Sequence, residues 1–209
     1  MKVGVIGFQG DVAEHMEFLY KLKDEKKRDV DPVLVKSRRM LSEVSALIIP
    51  GGESTTIYRL IKEYEIYWDV VRRAKNGMPV MGTCAGLIIV SKDSQDPRVR
   101  GMGLIDVVIK RNAYGRQANS FYDTLKIRGI GSFVGIFIRA PVIESASNVE
   151  VLATYDGQPV MVMNQYVLGL TFHPELSGDT RIHEYFLSMV GREGYISTGS
   201  REWYVSGVA

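Results

Sequence analysis

The sequence predicts an α/β protein in three layers, a mostly parallel central sheet flanked by helices. Three observations carry this reading. In the first half, short Val- and Ile-rich runs alternate with segments of helical periodicity, the pattern of a doubly wound parallel sheet. The second half is mostly strand-like and closes on one amphipathic helix, which adds antiparallel strands to that sheet. The only cysteine, Cys84, stands between two glycines where a predicted strand meets a predicted helix.

Each element follows in order. KVGVIGF is a buried strand, and GDVAEHMEFLYKLKDEKK a helix with Val12, His15, Met16, Leu19 and Leu22 at helical spacing. Asp11 is placed to cap it. DPVLVK and SALIIPGG are the second and third strands, the latter stopped by Pro50, Gly51 and Gly52. STTIYRLIKEY and YWDVVRRAKNG are helices, and Gly77 ends the second. MPVMGT is a fourth strand and AGLIIVSK opens the next helix. GLIDVVIKR, DTLKIRG, FVGIFIRAP, VEVLATYDGQPVMVMNQ and YVLGLTFHPEL are strand-like, with Asp156-Gly157 as a hairpin turn. The last helix, DTRIHEYFLSMVG, puts Ile182, Phe186, Leu187 and Val190 on one face. No repeat or linker interrupts residues 1–190, which read as one domain; residues 191–209 form a tail without clear periodicity.

Composition narrows the function classes. The 209 residues carry 26 basic and 24 acidic side chains, a net charge of +2. That near-balance gives no nucleic-acid footprint. The apolar runs are too short for a signal peptide or a membrane span, and one cysteine makes no internal disulfide, so a cytoplasmic setting is expected. The charge run from Lys23 to Asp29 reads as a solvated helix end or loop. Gly4, Gly7 and Gly10 do not have dinucleotide-binding spacing, PGGESTT lacks the lysine of a phosphate loop, and no cluster of ligating side chains suggests a metal.

The chemistry concentrates at GTCAG. A nucleophile on a strand-to-helix elbow has strained backbone, and side chains two residues to either side would collide, so Gly82 and Gly86 suit the position. A helix N-terminus there favours a thiolate. The alternative is a small buried hydrophobe, the common fate of a free cysteine. A base decides between them. His15 and His183 lie within amphipathic helices and read as structural or solvated. His173 follows a strand, is kept extended by Pro174 and precedes Glu175 by two residues. Imidazole can accept the thiol proton and the carboxylate can fix its tautomer.

Together PGGEST, GTCAGL, RNAYGRQ, FIRAP and FHPEL resemble the class I, triad-type glutamine amidotransferases, whose fold is flavodoxin-like. GGESTT, RNAYGRQ and FIRAP are similar, more narrowly, to the glutaminase branch of pyridoxal 5′-phosphate synthesis. The resemblance runs from about Val3 to Val190. It implies Cys84 as nucleophile, His173 as general base and acid, and Glu175 as its orienting carboxylate. It implies Gly52, Glu53, Ser54, Arg111, Ile138 and Arg139 as contacts to L-glutamine. Backbone N–H groups of Gly51, Gly52 and Ala85 are the oxyanion-hole candidates. The implied partner is a (β/α)8-barrel synthase subunit that uses the ammonia, and this chain itself needs no cofactor. Gln9, at the first strand's end, is expected to couple the site to that partner. Another glutaminase branch, a non-catalytic amidotransferase shell and a γ-glutamyl hydrolase remain the alternatives. The tail lies outside the resemblance.

Overall fold

The computed structural model describes residues 1–110 and 120–191. The expectations for the RNAYGRQ motif, including Arg111, and for the tail from residue 192 fall outside the described residues.

A seven-stranded sheet forms the centre. Its order is β10-β11-β12-β4-β3-β1-β2. The strands are β1 (Lys2–Ile6), β2 (Asp31–Val35), β3 (Ala46–Ile49), β4 (Val80–Thr83), β10 (Glu150–Tyr155), β11 (Gln158–Met163) and β12 (Val167–Leu170). From β2 to β12 all neighbours are parallel; β11 and β10 add an antiparallel hairpin at the edge. Asp156 and Gly157 turn that hairpin with positive φ at both residues, 48° and 74°, as the Asp-Gly pair predicts. The predicted fold class is therefore the observed one.

Period-2 alternation divides the strand side chains between two cores. Val3, Val5, Ala46, Ile48 and Met81 face α1 (Val12–Asp24) and α6 (Arg181–Leu187), with Leu19, Leu22, Ile182 and Phe186 packed against them. Leu47, Ile49 and Val80 face α3 (Ser54–Glu63), α4 (Tyr67–Lys75) and α5 (Ala85–Val90) on the other side. Helices on both faces explain why β3, β4 and β12 are buried at every position.

Several elements escape the periodicity. Arg38–Ser42 form a short helix, α2, capped by Ser37 accepting from the Met40 N–H. Ser91–Asp93 (β5) end the α5 segment as strand rather than helix, and β5 joins β6 (Ile105–Lys110) and β9 (Val142–Ala146) in a small sheet. Five-residue helices and three-residue strands are too short for either period to register. The hairpin β7 (Ser120–Ile127) and β8 (Gly131–Ile138) stands apart as a third sheet. Residues 23–29 are exposed, as the charge run predicts. Among the described residues, no helix is long and apolar enough to cross a membrane.

The β4–α5 junction is the tightest point. A Cβ on Gly86 would stand 1.9 Å from the Ile49 carbonyl oxygen, and one on Gly82 2.7 Å from the Gly86 carbonyl carbon. Both obstacles are backbone. Gly86→Ala is expected to lower the unfolding free energy by about 3 kcal/mol, the upper range for overpacking, read from the urea midpoint at unchanged m-value.

Candidate active site

The site lies at the C-terminal ends of the parallel strands. There the strand order reverses: β2 lies to one side of β1 and β3 to the other, which opens a crevice between the loops that follow β1 and β3. Four loops meet in it, those after β1, β3, β4 and β12.

Cys84 leaves β4 at φ 48° and ψ −101°. This left-handed conformation is costly for a residue with a Cβ, about 1–3 kcal/mol. The two flanking glycines allow it by letting β4 and α5 approach. The Cys84 N–H donates to the Leu170 carbonyl at 2.8 Å, which extends the β4–β12 ladder beyond its last pair, Thr83 with Leu170. Three residues after Leu170 comes His173. Its N–H donates to Ile136 O at 2.8 Å, so β8 fixes this loop from above the sheet. Cys84 Sγ lies 4.0 Å from Ile138 O on the same strand. Pro174–Leu176 then form one 3₁₀ turn that carries Glu175 back beneath the imidazole.

His173 Nδ1 lies 2.8 Å from Glu175 Oε1 and 3.1 Å from Asp11 Oδ2. Asp11 was expected to cap α1. It occupies the cap position but makes no side-chain cap bond; its carboxylate turns to the imidazole instead. A carboxylate facing an imidazolium gains the attraction of a full positive charge, where a cap offers only a backbone N–H and the helix dipole. Asp11 is thus a site residue that sequence reasoning missed. The cap pattern and the site role predict the same residue type, so no local signal distinguishes them.

Charges in the cluster are set by burial and by these contacts. Burial opposes a charged His173, but the neighbouring Asp11, Cys84 and Glu175 outweigh it, and the imidazolium is pushed up to about 12. The His173 bond holds the Asp11 carboxyl below its ordinary range against partial burial. Burial pushes Glu175 up, and the His173 N–H pulls it back only in part. His173 Nε2 is buried and closes no hydrogen bond of normal geometry. The sulfur of Cys84 and this ring face the same cavity.

Cys84 and His173 line one cavity of about 270 Å³ with Gly52, Glu53, Ser54, Ala85, Ile138 and Arg139. This is just under the ~300–1,000 Å³ of drug-sized ligand pockets, a size for one small metabolite. Ser54 Oγ is buried there without a hydrogen-bond partner among the described residues. Glu53 caps α3, its carboxylate accepting from the Thr55 hydroxyl at 2.9 Å. The Glu53 N–H donates to Gln9 Oε1 at 2.9 Å, and Gly51 O accepts from the Asp11 N–H at 3.1 Å. The β1–α1 loop therefore clasps the Gly51–Glu53 turn. Gly51 packs against the imidazole itself: a Cβ there would stand 2.5 Å from His173 Cε1. Arg139 reaches the cavity rim from a strained φ of 43°. The cavity thus brings together Gly52, Glu53, Ser54, Cys84, Ala85, Ile138, Arg139 and His173, whereas Glu175 and Gly51 lie off its lining, the one bonded to the imidazole and the other packed against it.

Asp11, His173 and Glu175 also bring their donor atoms within 4.8 Å of one another, the spacing an ion requires. Their contacts are accounted for by one N–H shared between two carboxylates, so the cluster reads as a proton-sharing one.

A cysteine on a strained elbow, faced by a carboxylate-held imidazole at a sheet edge, is built for acyl transfer to sulfur. Fold and site together define an amidotransferase-like α/β protein. The chain belongs to the SNO glutamine amidotransferase family, whose model matches residues 5–192. It is 61% identical over 199 residues to the pyridoxal 5′-phosphate synthase subunit PdxT of Thermoplasma acidophilum, covering 95% of this chain and 98% of that one. The PdxT of Thermotoga maritima is 47% identical over 193 residues, 91% of this chain and all of its relative (100%). A solved glutamine amidotransferase superposes with a TM-score of 0.83 at 42% identity, over 91% of this chain and 99% of that one. PurLQS from Thermotoga maritima, at 18% identity, TM-score 0.66 and coverage of 90% and 97%, shares the fold.

Asp11→Asn removes one of the two carboxylates on Nδ1. Since that bond raises the His173 pKa, its loss lowers it, and His173 gives up its proton at a lower pH. The alkaline limb of Cys84 alkylation by iodoacetamide is expected to move down in pH. An unmoved limb would show that Glu175 alone holds the ring.

Proposed function

We propose that this chain is the glutaminase subunit of a pyridoxal 5′-phosphate synthase, hydrolysing L-glutamine and delivering ammonia to a synthase subunit. The observation that carries the reading is the strained Cys84 beside the His173–Glu175 pair on one cavity of amino-acid size. The family and the PdxT relatives point the same way.

The proposed mechanism follows from the geometry. Glutamine enters with its side-chain amide toward Cys84. Arg139 offers a charge to its carboxylate and Glu53 one to its ammonium; the Ser54 hydroxyl supplies a further polar contact. Gly52, Ile138 and the Arg111 of the RNAYGRQ motif complete the proposed glutamine contacts. The thiolate attacks the amide carbon. Backbone N–H groups of Gly51, Gly52 and Ala85 receive the developing oxyanion. The His173 imidazolium protonates the departing nitrogen, so ammonia leaves and a glutamyl thioester remains. Neutral His173 then takes a proton from water, whose oxygen attacks the thioester. Glutamate departs and the thiolate returns.

Ammonia released into bulk water takes up a proton and is lost as a nucleophile. Delivery inside a complex avoids this, and a (β/α)8-barrel synthase subunit is the proposed receiver. Gln9 bridges the β1 loop to Glu53 and is the proposed coupling residue between that surface and the oxyanion turn. A catalytic thiol must stay reduced, which suits the cytoplasm.

Glutaminase assays with and without the synthase test the reading. Wild type is expected to be slow alone and faster on adding the synthase. Cys84→Ala is expected to lose at least ~10³-fold in kcat in both conditions. Ammonia release that survives Cys84→Ala would overturn the proposal, and full activity without a partner would remove the coupling.

A further inference from the structure

Two histidines outside the proposed triad are fully buried behind it. His15, on α1, and His183, on α6, both have zero exposure. His15 Nδ1 lies 3.0 Å from His183 Nε2, and His15 Nε2 lies 3.1 Å from Thr83 Oγ1. The same Nε2 is 3.5 Å from Glu175 Oε2. That oxygen is buried and closes no hydrogen bond of normal geometry among the described residues, so the His15 N–H, bonded to Thr83, is the polar group that approaches it at 3.5 Å. His183 Nδ1 is likewise buried and unbonded, with the Phe18 ring packed nearby.

Proton counting orders this chain. One nitrogen of the His15–His183 contact donates and the other accepts. If His15 carried its proton on Nδ1, its Nε2 lone pair would face the Glu175 carboxylate. His183 would then accept at Nε2 and bury an unpaired Nδ1–H. Orphaned buried N–H groups are rarer than orphaned acceptors, and a lone pair against an anion is repelled. The opposite arrangement meets neither cost. His183 Nε2–H donates to His15 Nδ1, and His15 Nε2–H points to Thr83 and Glu175. Burial keeps both rings neutral, with His183 held down to about 3.

We propose that His15, its tautomer set by His183, is a positioning residue for the reaction, holding Glu175 Oε2 so that Oε1 stays on His173. The need is physical. Glu175 is a buried carboxylate with Asp11 close by, and a single bond to His173 leaves its second oxygen without solvation. A neutral N–H dipole supplies part of that solvation without adding a charge that would compete with the imidazolium. This role rests on the glutaminase reading for its kinetic effect, but the tautomers do not.

The test therefore has two parts. ¹⁵N NMR of the histidine rings in the full-length wild type reads the tautomers without substrate. Both rings are expected as neutral Nε2–H forms across neutral pH; a proton on His15 Nδ1 overturns the proposal. His15→Leu removes the donor and His15→Gln keeps one directed at the carboxylate. His15→Leu is expected to lose about 10–100-fold in kcat, as for other groups that orient an active-site side chain from behind. KM for glutamine should stay within about twofold, because His15 does not line the cavity. His15→Gln is expected to recover most of the loss at similar Tm. A folded His15→Leu with wild-type kcat, or a folded His15→Gln as slow as His15→Leu, would end the positioning role. Failure of the glutaminase reading itself would show separately, as activity that survives Cys84→Ala.

Discussion

The parallel pairing of β4 with β12 is the constraint on which the site depends. It aligns Thr83 with Leu170, and the Cys84 N–H continues the ladder onto the Leu170 carbonyl. Both strands end at the same sheet edge, so residues distant in sequence leave it side by side. The elbow then aims the sulfur and the 3₁₀ turn aims the imidazole. A one-residue slip of this register would reverse every side chain of β12 between the two cores. The Gly169 side has no room for a leucine, since even a Cβ there would stand 2.6 Å from Leu87 Cδ1, so packing opposes the slip.

Around that pairing the chain assembles a dense group of ionisable side chains in a low-dielectric setting. Two carboxylates share one N–H of His173, and two neutral histidines lie behind them. Burial and pairing oppose each other at Asp11, His173 and Glu175. Isolated, each charge would be costly; together they hold a proton on His173 where it is useful for a departing amide nitrogen. The strain at Cys84 belongs to the same design, since a relaxed backbone there would point the sulfur elsewhere.

The small β7–β8 hairpin completes what the sheet starts. Its β8 strand presents Ile136 O to the His173 N–H and Ile138 O to the Cys84 sulfur, and Arg139, the residue after its end, stands on the cavity rim. The opposite wall is the Gly51–Glu53 turn, held by Gln9 and the Asp11 backbone. One wall comes from the central sheet's own crevice and the other from an added element, an arrangement that lets two separate segments contact one small substrate.

The sequence by itself determined the layer architecture, because alternation between period 2 and period 3.6 is a local property of each segment. It also marked Cys84, His173 and Glu175, because glycine spacing and a His-Pro-Glu turn are constraints readable within a few residues. It did not distinguish Asp11 as a cap from Asp11 as a His173 partner, nor His15 and His183 as plain core residues from a pair behind Glu175. Those roles arise where α1, α6, β4 and the β12 loop converge, and no window of contiguous residues contains such a convergence. Only the tertiary structure decides them, since proton sharing and desolvation depend on distances of a few ångströms between groups the chain keeps far apart.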